Sequence, residues 1–238
     1  MTKHSPTGLD ARIRLSRGPI EVDVTLRAEP GQVVGILGPN GGGKTTTVLA
    51  LAGALPLADG HVRVGGEVWD DGRHRLPPER RAVGLMLADS LLFPHLRAVD
   101  NVAYGPRSRG TSRAAARERA LAELARVGLV DRAGARPGEL SSGQQARVAL
   151  ARALATDPAL LLLDEPLAAL DPDTRARTRS DLATRLAAYD GVTVLVTHDP
   201  LDALTLADHL VFVEDGQVSQ SGTPAEVLRE PRTAYVAT

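Results

Sequence analysis

The chain has 238 residues, a formal net charge of −1 and no cysteine. This length can bury a substantial core as one large α/β domain, while the missing cysteine excludes disulfides and thiolate metal sites and favours a reducing compartment. A net charge near zero and an aromatic content of 3% argue against nucleic acid as the main ligand.

Membrane-spanning segments and targeting signals are not expected either. No apolar stretch approaches the roughly 18 uncharged residues of a membrane-spanning helix. The segment from Met1 to Asp10 lacks the apolar centre of a signal peptide. We therefore expect a cytoplasmic protein that reaches a membrane only through a partner.

The first predicted elements are short strands. Residues 11–26 alternate between polar and apolar side chains, which predicts two half-exposed antiparallel strands. Pro30-Gly31 then turns the chain into the apolar run from Val33 to Leu37, which predicts a buried strand. Further on, residues 61–68 are interrupted by Gly65-Gly66 and predict a short hairpin.

A glycine-rich loop follows the first buried strand and precedes a helical segment, Thr46 to Leu55. Its spacing is that of the phosphate-binding motif G-x-x-x-x-G-K-[ST], in which backbone N–H groups and a helix N-terminus surround a phosphate chain. We predict that nucleotide phosphates contact the residues Gly38, Pro39, Asn40, Gly41, Gly42, Gly43, Lys44, Thr45 and Thr46.

Two side chains of this loop have separate predicted roles. Lys44 is expected to reach the β- and γ-phosphates and to take part in catalysis, and Thr45 is expected to hold Mg²⁺ through its hydroxyl. Lysine occurs elsewhere only at position 3, and the other basic residues are arginines. The lysine at position 44 therefore suggests that the loop has room for a slim ammonium but not for a planar guanidinium. The alternative is a chance glycine-rich turn, which the flanking strand and helix disfavour.

The middle of the chain changes character. Val83 to Leu87 predicts another buried strand, and residues 88–155 are then rich in alanine and arginine with helical spacing, most clearly from Ser112 to Val127. We predict a helical insertion over this region, ended by Asp157-Pro158.

The last third of the chain alternates strands and helices. Apolar runs at 160–163, 192–196 and 210–213 predict buried strands, with a helix over 173–188 between the first two. Thr223 to Glu226 combines a capping box with proline at the first helical position and predicts a last short helix. This alternation predicts an α/β fold with a mainly parallel sheet.

Two adjacent carboxylates, Asp164 and Glu165, follow the apolar run at 160–163. Ligands bind at the carboxyl ends of strands in such a sheet, so both acids should reach the phosphate site. Successive side chains of a strand point to opposite faces, so we predict that Asp164 faces Mg²⁺ through its water shell and that Glu165 polarises the attacking water. On its own, the motif would fit a strand that enters a solvated loop equally well.

The most specific motif is Leu140-Ser141-Ser142-Gly143-Gln144, followed by a helix-forming segment. Together with the glycine-rich loop and the paired acids, it makes the chain resemble the ATP-binding subunits of ABC transporters over nearly its whole length. The match is to the family's LSGGQ signature, with Ser142 where glycine is usual. An ordinary serine N-cap would explain the serine but not the long match.

The resemblance implies a fold and an assembly. It implies a single domain over 1–238 with a P-loop NTPase core, an N-terminal antiparallel β-subdomain and the helical insertion at about 88–155. It also implies a head-to-tail homodimer, in which ATP held by one copy is contacted by signature residues of the other, namely Ser141, Ser142, Gly143 and Gln144.

Two more positions take their roles from this resemblance. Asp171, after Ala169-Leu170, corresponds to the D-loop that lines the dimer seam. His198, after the strand at 192–196, corresponds to the switch histidine that contacts the γ-phosphate. A lone histidine usually has no such role, but one that follows a sheet strand lies at the ligand-binding edge.

The chain departs from the family pattern at two places. The family stacks adenine on an aromatic residue before the first buried strand, whereas the first aromatic residue here is Trp69, so Arg17 or Ile20 would have to substitute. Ala88 stands where the family has the Q-loop glutamine, which touches Mg²⁺ and links the site to the membrane partner. Its absence should affect coupling more than nucleotide binding.

The segments Pro77 to Arg81 and Leu92 to Leu96 are similar to importer subunits for oxyanions, molybdate above all, with sulfate, iron and polyamine importers as the next alternatives. The resemblance then implies an ATP hydrolase on the inner face of the cell membrane, with ATP and Mg²⁺ as ligands, permease subunits as partners and a solute-binding protein as an indirect one. No C-terminal regulatory domain is expected within this chain, which ends at Tyr235 to Thr238, about where a linker to one would begin, so a truncated chain is expected. Two alternatives stay open, a soluble ABC ATPase outside transport and a nucleotide-binding regulatory module with weak turnover.

Overall fold

The structure, a computed structural model, describes residues 8–237. Residues 1–7 and Thr238 lie outside the described residues, including Lys3 and most of the N-terminal segment considered for a signal peptide. The strands are β1 Leu9–Arg17, β2 Ile20–Ala28, β3 Val33–Leu37, β4 Asp59–Val64, β5 Glu67–Asp70, β6 Val83–Met86, β7 Leu160–Asp164, β8 Val192–Val196, β9 His209–Glu214 and β10 Gln217–Gly222. The α-helices are α1 Lys44–Leu51, α2 Ala98–Ser108, α3 Arg113–Arg126, α4 Ser142–Leu154, α5 Pro172–Ala187, α6 Pro200–Leu206 and α7 Pro224–Arg229.

The strands form one ten-stranded sheet in the order β5-β4-β1-β2-β10-β9-β3-β8-β7-β6. Strands β9, β3, β8, β7 and β6 run parallel to one another, whereas β1 pairs antiparallel with β2 and β4. The strands β3, β7 and β8 are buried along their whole length and apolar except for Thr193 and Asp164, as expected where both faces of a parallel sheet are covered. The predicted α/β fold, with a mainly parallel core sheet and an antiparallel N-terminal part, is confirmed.

Some elements differ from the prediction. Strand β6 lies at the edge of the sheet and is only half buried at Val83 and Leu85, so it is not the buried strand expected. Helix α1 ends at Leu51 rather than Leu55, because the chain turns at Gly53, whose φ is 81°. Helix α6 and strand β10 were not predicted.

Three apolar cores hold these layers together. One lies between a face of the sheet and α1, and a second lies between the opposite face and α4, α5 and α6. The third lies among α2, α3 and α4, within the region predicted to be helical. Helix α4 therefore belongs to two cores at once. Among the described helices, none is both long enough and apolar enough to cross a membrane.

Candidate functional site

Three neighbouring parallel strands deliver the predicted site residues to one edge of the sheet. The glycine-rich loop follows β3, Asp164 ends β7 with Glu165 next to it, and His198 comes shortly after β8. Strand β8 lies between β3 and β7, and parallel strands end at the same edge. The fold therefore brings the loop, both acids and the histidine together, as the sequence predicted.

The glycines of the loop are required by its close approach to β9. A Cβ added at Gly38, where φ is 148°, would lie 2.0 Å from the carbonyl oxygen of Val213, and one at Gly42 would lie 2.8 Å from the same oxygen. Gly43 has a φ of 103°, which side-chain-bearing residues rarely adopt. Only glycine at these positions lets the backbone fold into a tight cradle.

The cradle opens onto the N-terminus of α1. Gly43 is the N-cap, and no side chain caps the helix there. The N–H groups of the first turn, which have no carbonyl partner within a helix, therefore face the loop. Aligned N–H groups and the positive end of the helix dipole make such a place suited to phosphate.

The ammonium of Lys44 lies inside this cradle. Its Nζ donates to the carbonyl oxygens of Gly38 at 2.7 Å and Pro39 at 2.9 Å, and the residue is only 8% exposed. Burial lowers the pKa of Lys44, while the charges of Glu165 and Asp164 act in the opposite direction. An ammonium has three donors, so one N–H remains for a phosphate oxygen.

A second cluster pairs the loop with β7. The Thr45 hydroxyl donates to Asp164 Oδ2 at 2.9 Å, and Asp164 is buried. Burial raises the pKa of Asp164, an effect opposed by the hydrogen bond from Thr45 and by the charge of Lys44. Two adjacent oxygen ligands beside a phosphate cradle suit Mg²⁺, which otherwise keeps water in its shell. No group of three or more acidic, histidine or cysteine side chains within 8–237 forms a metal site by itself.

Glu165 takes a different direction from Asp164, but it lies just outside β7, so the predicted strand alternation is not the reason. Its Oε2 lies 2.8 Å from Nδ1 of His198, and its backbone N–H donates to the carbonyl oxygen of Val196 at 2.9 Å. Glu165 has a φ of 53°, an uncommon backbone conformation for a residue with a side chain. The Glu165 carboxylate, which follows β7, and the His198 imidazole, which follows β8, therefore form a pair across the ends of two neighbouring strands.

A network that the sequence analysis missed supports the segment around His198. Asp199 caps α6 through the N–H groups of Leu201 and Asp202, and its carboxylate pairs with Arg175 of α5 at 2.9 Å. Arg175 and Arg179 both pair with the buried Asp202. The pair Asp199-Pro200 is a helix-start signal that could have revealed α6. The arginine partners are tertiary contacts, and no local pattern indicated them.

The signature segment caps α4. The Ser141 side chain accepts from the N–H of Gln144, and the Gln144 side chain accepts from the N–H of Ser141, which makes a complete capping box. Gly143 faces the D-loop segment, because a Cβ there would lie 3.1 Å from Leu170. Asp171 caps α5 by accepting from the N–H of Thr174.

These signature and D-loop residues make no hydrogen bond to the loop at 38–46 in the part of the chain that the structure describes. Their predicted contact with ATP bound to a second copy, which includes Ser142, remains a prediction.

The β2 side chains beside the cradle, in the region where the family resemblance places the adenine, are aliphatic. Val22 of β2 approaches Gly43, because a Cβ on that glycine would lie 3.2 Å from the Val22 side chain. Ile20 lies near Gly216, whose N–H donates to the carbonyl oxygen of Gly42 at 3.0 Å. Arg17, the other candidate, is exposed at the end of β1.

Tyr235 is a neighbour of the loop that sequence reasoning missed. Its hydroxyl donates to the carbonyl oxygen of Gly38 at 3.0 Å, and its ring meets Phe212 of β9 edge-on, with centroids 6.4 Å apart. This contact joins positions 197 residues apart, and no local signal could have indicated it.

Ala88 lies in an exposed turn just after β6, closed by the N–H of Ser90 donating to the carbonyl oxygen of Leu87. Met86 pairs with Leu163 in the sheet, so this turn lies beside the end of β7. The guanidinium of Arg152 on α4 donates to the carbonyl oxygens of Ser90 and Leu91. The turn is therefore held against the helix that begins at the signature.

Comparison with known proteins agrees with this geometry. Residues 22–168 match the family described as ABC transporter. The chain is 43% identical over 215 residues to an Fe(3+) ions import ATP-binding protein of Rhizobium meliloti, covering 90% of this chain and 60% of that protein. It is also 43% identical over 222 residues to a molybdenum import ATP-binding protein of Mycobacterium tuberculosis, covering 91% of this chain and 60% of that protein.

The chain thus spans about 60% of the length of the curated relatives it matches. Among solved structures, the ATP-binding cassette MJ0796, a dimer in a post-hydrolysis state bound to ADP and Pi, superposes with a TM-score of 0.79 and 28% identity. That match covers 91% of this chain and 98% of the cassette. On sequence and on fold, the chain belongs to the ABC transporter family.

Proposed function

We propose that the chain is the ATP-hydrolysing subunit of an ABC importer, which works as a homodimer on a membrane permease. The observation that carries this proposal is the convergence of the phosphate cradle, the Thr45–Asp164 pair and the Glu165–His198 pair at one edge of the sheet. Each pair has a separate part in phosphoryl transfer, which depends on positioning and charge neutralisation.

The cradle and Lys44 bind the phosphate chain of ATP and neutralise the charge that develops during transfer. Thr45 and Asp164 would hold Mg²⁺, which when bound would neutralise part of the negative charge of the phosphate chain. Glu165 accepts the proton of the attacking water as general base. His198 orients the Glu165 carboxylate through Nδ1, and the other nitrogen of its ring contacts the γ-phosphate.

A second copy of the chain completes the site. Ser141, Ser142, Gly143 and Gln144 at the start of α4, with Asp171 at the start of α5, contact the ATP held by the opposite copy. Support comes from the capped N-terminus of α4, a place suited to an anion, and from the dimeric state named for the cassette MJ0796. ATP binding closes the two copies and hydrolysis opens them.

The partners follow from this function. The chain acts in the cytoplasm, peripherally on the inner face of the membrane, attached to permease subunits and served indirectly by a solute-binding protein. Support for these partners comes from the import function named for both curated relatives. The chain forms one ABC ATPase domain with its helical insertion at about 88–155.

For the solute we propose molybdate or a related oxyanion. The segments at 77–81 and 92–96 support it, and so does the relative named for molybdenum import. Because an equally similar relative is named for Fe(3+) import, uptake of labelled molybdate and of Fe(3+) should be compared in cells with and without the gene. Uptake of Fe(3+) alone would overturn the oxyanion assignment.

The competing function is a nucleotide-binding regulatory module with weak turnover, which the alanine at position 88 favours. The experiment that separates the two is a Mg²⁺-dependent ATPase assay of the chain, alone and with its permease. We expect hydrolysis that increases with the permease and disappears in Lys44→Ala. Nucleotide binding without hydrolysis in both conditions would favour the regulatory module.

A further inference from the structure

A large cleft lies away from the phosphate cradle, between α3, α4 and α5. Its volume is about 940 Å³, a size typical of sites for small organic ligands. Five arginines line it, namely Arg119, Arg126, Arg147, Arg177 and Arg185. None of the residues assigned above to ATP or Mg²⁺ lies in its wall.

The cleft is positively charged, although the whole chain has a formal net charge of −1. Its five arginines face three carboxylates, those of Glu123, Asp157 and Asp181, which leaves an excess of two positive charges. A concave site with an excess of one charge raises the local concentration of ligands of the opposite charge. The cleft therefore favours an anion.

Two of these arginines are available to a ligand. Glu123 is buried and already neutralised, because it pairs with Arg126 at 2.6 Å and with Arg185 of α5. Arg147 donates through Nη1 to the carbonyl oxygen of Val127, and its Nε is buried, so Nη2 is the donor that can reach a ligand in the cleft. The Arg177 side chain has neither a hydrogen bond nor an ion pair with any residue in 8–237.

The remaining wall is apolar. Leu150 and Leu154 of α4 and Leu182 of α5 line the cleft, so a ligand with only charged groups would leave this surface in contact with water. Guanidinium groups recognise phosphate and carboxylate through paired N–H donors. An apolar body would fill the space between the leucines.

We propose that this cleft binds a small organic anion that carries a phosphate or carboxylate group on an apolar body, with Arg147 and Arg177 as the residues that hold the anionic group. The bound molecule joins α3, which packs in the helical core, to α5, which packs on the sheet. The site is separate from ATP hydrolysis and does not depend on it.

The test is calorimetric titration of the full chain with 1-naphthyl phosphate, in the presence of saturating Mg-ADP to fill the phosphate cradle. We expect saturable binding, at least about tenfold weaker binding of 1-naphthol and of inorganic phosphate, and at least about a tenfold loss in Arg177→Gln. The Arg177 side chain is exposed and makes no hydrogen bond or ion pair within the described chain, so this variant should fold. The double variant Arg147→Gln/Arg177→Gln should abolish binding.

The matched control is Arg117→Gln, which removes an exposed arginine of α3 outside the cleft and should bind like the parent. No saturable binding, equal binding of 1-naphthol, or an unchanged dissociation constant in Arg177→Gln would each overturn the proposal. ADP affinity is measured separately, so a failure of the nucleotide site is distinguishable from a failure of the cleft.

Discussion

Replacing Glu165 by glutamine tests the assignment of the general base most directly. Glutamine has the same length and can still hydrogen-bond to His198 Nδ1, which lies 2.8 Å from the carboxylate, but it cannot accept a proton. General-base catalysis contributes about 10²–10⁴-fold, so we expect turnover to fall by that factor. The Lys44, Thr45 and Asp164 contacts are untouched, so the affinity for ATP should be preserved.

The structure also predicts what should not change. The left-handed backbone of Glu165, with φ 53°, costs roughly 1–2 kcal/mol with any ordinary side chain, and glutamine keeps that cost. The free energy of unfolding should therefore stay within about 0.5 kcal/mol of the parent. If turnover falls while the free energy of unfolding is unchanged, the loss is in the chemical step and not in folding.

The assay is phosphate release at saturating Mg-ATP, with size-exclusion chromatography in ATP to detect a dimer that accumulates before hydrolysis. Asp131→Asn makes the same carboxylate-to-amide change at a side chain that is 74% exposed and should hydrolyse ATP like the parent. If Glu165→Gln released phosphate at the parental rate, Glu165 would not be the base.

Three other predictions, two on substitutions and one on nucleotide preference, test different parts of the chain. Ala88→Gln should raise permease-stimulated hydrolysis, because it restores a polar group in the turn beside β7; an unchanged rate with the permease would show that another residue supplies the contact. ATP and GTP should compete almost equally, because the roughly 1–3 kcal/mol that stacking supplies per base is absent from the aliphatic base side; a strong preference for ATP in a competition assay would contradict this. Glu123→Ala should lower the free energy of unfolding by about 1–3 kcal/mol, because it removes the charge-assisted contacts of the Glu123 carboxylate with Arg126 and Arg185. Urea denaturation with Asp131→Ala as the exposed control measures the effect, and equal values for both variants would refute it.

Local patterns predicted the centre of the fold well. The strands β3 and β8 have the predicted bounds, because each is an almost continuous apolar run, broken only by Thr193 in β8. The cradle was predictable because its spacing is that of a phosphate-binding motif, and the contact of Gly38 with Val213 explains one of its glycines only afterwards. The pairing of Thr45 with Asp164 followed from the motif and from the rule that parallel strands end together.

The missed elements lacked such patterns. Strand β10 has the polar sequence Gln217 to Gly222 and is held by β9 rather than by its own apolar periodicity. The contacts of Arg175 with Asp202 and of Tyr235 with Gly38 join distant parts of the chain. Such contacts depend on the assembled fold, and a single sequence does not contain them in readable form.

The double membership of helix α4 limits how the signature can move. One side of the helix, with Ala146, Ala149 and Ala153, packs into the core on the sheet, and another side, with Val148 and Ala151, packs into the helical core. A roll of the helix about its own axis would withdraw one of these sides from close packing, which is costly. We therefore expect the start of α4 to move only by a rigid-body rotation together with α2 and α3. The pivot of this rotation is the contact of the small alanine side chains with the sheet.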